Sequence, residues 1–132
     1  MSTPQSATTS ARPHPAFSAL VGLTTLGVLL QALWAGLFLG GTDDPDTWVD
    51  VHQYGAEATL VLALLALVAA LVWMRHRRPV VIATAVLFVL LVAEFGLGMA
   101  ADDSRGTVIV HVPLAMLIMA LAVYLPVIAR RG

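Results

Sequence analysis

The sequence contains no cysteine and no lysine. Without cysteine there is no disulfide, no thiolate metal ligand and no thiol redox chemistry. Charge of either sign is scarce at 11%, and aromatic residues make up only 7%. With a formal net charge of −1 there is no basic excess, so no nucleic-acid partner is expected. What remains is apolar: 59% of 132 residues, with a mean hydropathy of +0.89. A soluble domain this small leaves too much of its area in water to hide such a surface. The composition therefore predicts an integral membrane protein in contact with the lipid bilayer.

Residues 1–15 are rich in Ser, Thr and Pro and have no apolar period, which predicts a disordered tail. A single transmembrane domain is expected over residues 16–130. Four apolar stretches, about residues 17–40, 49–74, 79–101 and 108–129, each supply the roughly 20 residues a helix needs to cross the hydrocarbon core. The first has no small-residue cleavage site after a short core and reads as an uncleaved span. The connections are short, so consecutive helices must be antiparallel neighbours. An all-α, up-down-up-down four-helix bundle is predicted.

Charge is sorted along the chain. Arg12, Arg75, Arg77, Arg78, Arg130 and Arg131 fall on one side of a four-span arrangement, and only Arg105 on the other. Asp43, Asp44, Asp46, Asp50, Asp102 and Asp103 all fall on that second side. The positive-inside rule then predicts a multi-pass inner (plasma) membrane protein with both termini cytoplasmic. Arginine without lysine and the Ala/Leu/Val bias point to a bacterium with GC-rich coding.

The two outer loops resemble each other. Asp43-Asp44 and Val49-Asp50-Val51-His52 recur as Asp102-Asp103 and Val108-Ile109-Val110-His111, offset by 59 residues without a gap. A duplicated helical hairpin accounts for this better than chance recurrence of an acidic loop before a Val-rich helix. It places His52 and His111 at one depth, about one turn inside the outer ends of helices 2 and 4.

Ionisable and amide side chains are costly within a span and mark candidate sites. Gln31, His52, Gln53, Glu57, Glu94 and His111 all lie in the outer halves of their helices. Gln31, Glu57 and Glu94 are each eight or nine residues, roughly 13 Å, from the outer end. Helices 2 and 4 are diagonal in such a bundle, so inward-facing histidines point at one another across the core. The residues predict one haem b, its iron ligated by His52 and His111, with Gly55, Gly36 and Gly98 making room for the macrocycle. Gln31, Glu57 and Glu94 are candidates for proton transfer or quinol contact, with Gln31 a partner for Glu94. Bis-imidazole ligation closes both axial positions and suits electron transfer. The expected partners are a quinol or an extracytoplasmic redox protein, and a homodimer is compatible with the pattern. Two rivals remain at this point. One is a non-enzymatic bundle or assembly subunit whose small and polar residues serve only packing. The other is a small proton-coupled transporter built on Glu94. Whether the chain is an enzyme is left open by its residues.

Val51-His52 opening helix 2, and Glu94-Phe95-Gly96-Leu97-Gly98-Met99 leading through a short loop to Val110-His111, resemble one four-helix half of the haem A synthases. The resemblance covers most of residues 17–129 and implies a cytochrome b-like bundle. It also extends to small four-span bacterial membrane proteins that carry a Gln-x-x-x-Ala-Gly run in helix 1, here Gln31 to Gly36. Where haem A synthases carry Glu four residues before the first histidine and Arg just after it, this chain has Trp48 and Gln53. Only the ligand roles of His52 and His111 are therefore implied, and not chemistry on the haem itself.

Overall fold

A computed structural model describes residues 12–101 and 105–131 of the protein. It is all-helical, with α1 over Pro15–Leu39, α2 over Pro45–Trp73, α3 over Arg78–Met99 and α4 over Arg105–Arg131. The tail expected over residues 1–15 lies outside the described residues as far as residue 11, and so do Asp102 and Asp103. All four helices are long and apolar enough to cross a membrane. The shortest, at 22 residues, spans roughly 33 Å, enough for a hydrocarbon core of about 30 Å. The protein is a multi-pass membrane protein.

The helix starts follow from local chemistry. Proline occupies an opening position of α1, α2 and α3, where its missing N–H costs nothing. The Nδ1 of His14 accepts from the Ala16 N–H at 3.3 Å and caps α1. Asp44 caps α2, accepting from the Thr47 N–H at 3.3 Å and the Thr47 hydroxyl at 2.6 Å. With Pro45 at the first helical position and Asp46 favouring the positive helix end, α2 begins four residues before the apolar stretch does. At its other end, α4 places Arg130 and Arg131 against the negative end of the helix dipole. Arg77 donates to the carbonyl of Ala129, one of the orphan acceptors of the last turn.

Two prolines lie inside α4, at Pro113 and Pro126. Pro126 has no N–H for the carbonyl of Ala122, so that oxygen is left without its helical partner. The Thr25 hydroxyl of α1 reaches it at 3.2 Å, while also lying 2.8 Å from the Val21 carbonyl of its own helix. A backbone vacancy in one helix thus becomes a cross-link to its neighbour.

Packing is closed in a ring. α1 packs on α2, α2 on α3, α3 on α4 and α4 on α1, with no close approach across either diagonal among the described residues. This is the up-down-up-down bundle, with α2 and α4 at opposite corners. Lipid is as apolar as the helices, so close packing rather than burial holds them together. Accordingly the core is full of small residues, among them Ala63, Ala66, Ala69, Ala70, Ala122 and Ala129, around Phe17, Leu87, Ile118 and Leu125. The buried hydroxyls of Thr24, Thr59 and Thr84 each donate to the carbonyl four residues earlier in the same helix, at 2.7–2.8 Å. No polar group is stranded by that arrangement.

The core is lopsided. Every buried residue lies in the half of the bundle that ends in the arginine loops. Between Leu29 and Ala58, and between Phe88 and Leu117, no described residue is buried. These two segments form the half that ends in the aspartate loops. There the inward faces of all four helices stay half-exposed, and that half holds the polar residues.

Candidate functional site in the loosely packed half

Gln31, Trp34, Ala35 and Phe38 recur at spacings of three and four along α1, so they share one face. That face meets α2. The Nδ1 of His52 lies 3.1 Å from the main-chain carbonyl of Gln31, which accepts from it in the tautomer that carries the proton on Nδ1 and leaves Nε2 with a lone pair. Phe38 meets the same ring edge-on, with centroids 5.5 Å apart and planes at 78°. With its side-chain amide oriented to match its neighbours, Gln31 donates to the carbonyl of His52 at 2.9 Å and accepts from the N–H of Ala56 at 2.9 Å. The amide therefore clamps the turn of α2 that carries the histidine.

The second hairpin repeats the theme with a stronger partner. The Nδ1 of His111 lies 3.2 Å from Oε1 of Glu94, and both side chains are largely shielded. The approach lacks hydrogen-bond alignment, and both Glu94 oxygens and this Nδ1 are buried with no hydrogen bond among the described residues. The ring sits over Gly98, where an added Cβ would come within 3.3 Å of it.

The polar partners are not those the sequence suggested. Gln31 serves His52 and Ala56, whereas Glu94 serves His111; α1 and α3 stand at opposite corners and do not touch. Gln31 and Glu94 occupy equivalent places in the two hairpins, yet they are 63 residues apart, not 59. The extra four residues are one helical turn. The helix-to-helix connections, residues 40–44 and 100–104, are equally long, so the missing turn lies within the helices of the second hairpin and the gap-free loop repeat does not extend into α1 and α3.

Three other expected positions take different places. Gly55 sits under the Trp34 ring and the Gln31 amide, and Gly27 faces the Thr59 side chain, so these small residues bring α1 and α2 together. That space is filled by protein, as packing between membrane helices favours. Gly36 is exposed, with nothing near the place a Cβ would take. Glu57 is also exposed, on the outside of the bundle with Gln53 and Tyr54, away from both histidines. Phe38 was not singled out from the sequence; its spacing of seven from Gln31 on one helical face was the available signal.

Whether these residues suit a haem is a question of ligands, room and unmet polar groups. Two imidazoles are suitable ligands for the iron, and the Nδ1 of His52 already has an acceptor in the Gln31 carbonyl. The half of the bundle around them is the half that is not close packed. Glu94 and His111 carry buried polar atoms with no hydrogen bond among the described residues. In ligand type and unmet polar groups the residues are compatible with the group. No cluster of three or more metal-ligating side chains occurs among the described residues, so a site built wholly of protein ligands has no counterpart here. Comparison with protein families, curated proteins and solved structures found no match to the chain.

Proposed function

We propose that this protein is a membrane-embedded b-type haem protein that moves single electrons, with His52 and His111 as axial ligands. The observation that carries the reading is the matched orientation of the two imidazoles. Each presents Nδ1 to the odd-numbered helix of its own hairpin, to Gln31 in one and to Glu94 in the other. With the proton on Nδ1, each keeps Nε2 for a metal. An acceptor hydrogen-bonded to Nδ1 fixes the tautomer and raises the basicity of the ligand. A haem held this way supplies one-electron chemistry with both axial positions closed.

The chain's own part is to hold and tune. The Gln31 amide fixes the turn that carries His52, and the Glu94 carboxylate sits where charge on His111 is felt. Glu94 is also the group placed to take a proton as the electron count changes, or to meet a quinol head group. In this reading the arginine end faces the cytoplasm, and the site lies toward the opposite face of an inner membrane. Its electron partner is a quinol or a protein on that side.

The test is the absorption spectrum of the protein purified in detergent from haem-sufficient cells. A Soret band is expected, lost in His52→Ala and in His111→Ala while the helical circular dichroism persists. A colourless wild-type preparation overturns the proposal.

One observation favours a second reading, an assembly or packing subunit without cofactor. The Gly55–Trp34 and Gly27–Thr59 contacts show the small residues spent on helix packing. In that case Gln31→Leu loosens the bundle, and His52→Ala is silent in every assay.

A further inference from the structure

The arginine end of the bundle carries a groove that the haem reading leaves unused. It lies between the start of α3 and the last turns of α4, and has a volume of about 430 Å³. Its walls are His76, Arg77, Pro79, Val80, Tyr124, Ile128 and Arg131. Pro79, Tyr124 and Arg131 stay exposed, so the groove opens on the outside of the bundle. The two arginines and the histidine line its end nearest water. Tyr124, seven residues before Arg131 and roughly 10 Å deeper along the helix, lines the wall with Val80 and Ile128.

We propose that this groove binds the phosphate of an anionic phospholipid, with the acyl chain along Val80 and Ile128. Three features converge on that ligand. The cationic side chains sit at the level where the span ends and head groups lie, and basic pockets between transmembrane helices suit anionic head groups. The Arg77 guanidinium is fixed in place by its hydrogen bond to the Ala129 carbonyl, so its charge is held at the groove. The wall below is apolar except for the Tyr124 hydroxyl, a donor placed for an ester or phosphate oxygen. A free phosphate ion would use the cationic end and leave the apolar wall idle.

The experiment uses the full-length protein in nanodiscs of equal phosphatidylglycerol and phosphatidylcholine, with the retained lipids counted by native mass spectrometry. The wild type is expected to keep phosphatidylglycerol in preference to phosphatidylcholine. Arg131→Gln, remote from the histidine site, is expected to lower that preference on the order of ten-fold, the loss of one hydrogen bond between charged groups. Arg78→Gln, which removes an exposed charge that does not line the groove, is expected to change it little. Equal losses from both variants would mean diffuse surface charge and overturn the site. No preference in the wild type, or complete displacement of the lipid by excess inorganic phosphate, overturns it as well. Thermal unfolding of Arg131→Gln in phosphatidylcholine alone confirms that the variant is folded. A preference that persists in His52→Ala separates this site from the haem reading.

Discussion

Glu94 and His111 meet at 3.2 Å, and neither finds another hydrogen-bonding group among the described residues. A carboxyl group placed this deep in a span costs a few kcal/mol, ~3 on insertion scales. Such a cost is understandable if the group works on its neighbour. Glu94→Ala is therefore expected to leave the bundle folded and to weaken haem retention on the order of 10–100-fold, as loss of the group that orients a ligating histidine does. Haem titration of the apo-protein reads this directly. Unchanged affinity would make Glu94 a packing residue.

Glycine substitutions separate packing from cofactor space. A Cβ on Gly27 meets Thr59 and one on Gly55 meets Trp34, so Ala at either site forces α1 and α2 apart. Overpacking of this kind costs about 1–3 kcal/mol. Gly36→Ala and Gly96→Ala meet nothing and are expected to be silent. Thermal unfolding in detergent ranks the four variants. Haem content should follow stability at Gly27 and Gly55 and stay at the wild-type level at Gly36.

The link between Thr25 and Ala122 exists because Pro126 leaves a carbonyl free. Pro126→Ala restores the missing N–H, and in that background Thr25→Val is expected to cost less than in the wild type. The coupling should be roughly 0.5–1 kcal/mol, the usual size for a hydrogen bond between membrane helices. A double-mutant cycle measures it, and additive effects would show that the hydroxyl serves only its own helix.

The start of α2 depends on a carboxylate in water. Hydrogen bonds from the Thr47 hydroxyl and N–H hold the Asp44 carboxyl below its ordinary value of 3.8. A depressed value means the contribution is full at neutral pH, above the unfolded-state value, and is lost as pH falls through the lower folded value. Acidification below about pH 4 should therefore fray the first turn of α2. Asp44→Ala should fray it at every pH, and Asp44→Asn should keep the cap and remove the pH dependence. Amide hydrogen exchange at Thr47 and Trp48 reports the outcome.

Much of this molecule is legible in its residues because a bilayer leaves few choices. Four apolar stretches and short connections lead to the bundle, since only helices satisfy their backbone within lipid. The early start of α2 was also legible, in Asp44-Pro45-Asp46. The pairing of polar groups was not. Gln31 and Glu94 look like partners by depth alone, yet depth does not say which corner of a bundle a side chain faces. One turn fewer within the helices of the second hairpin hides the equivalence of the two residues. Gly55 and Gly36 looked alike in sequence, and only the position of Trp34 tells a packing seam from an open face. The lopsided core was readable only in outline: the arginine half is almost purely apolar, but its closeness of packing depends on how alanines of different helices interlock.

The central claim is that two histidines from opposite corners of the bundle share one iron. Electron paramagnetic resonance of the oxidised, purified protein tests it most directly. The account predicts a low-spin ferric signal in the wild type, with high-spin iron or no haem in His52→Ala and His111→Ala. A wild-type spectrum that is high-spin, or one that either substitution leaves unchanged, would contradict it.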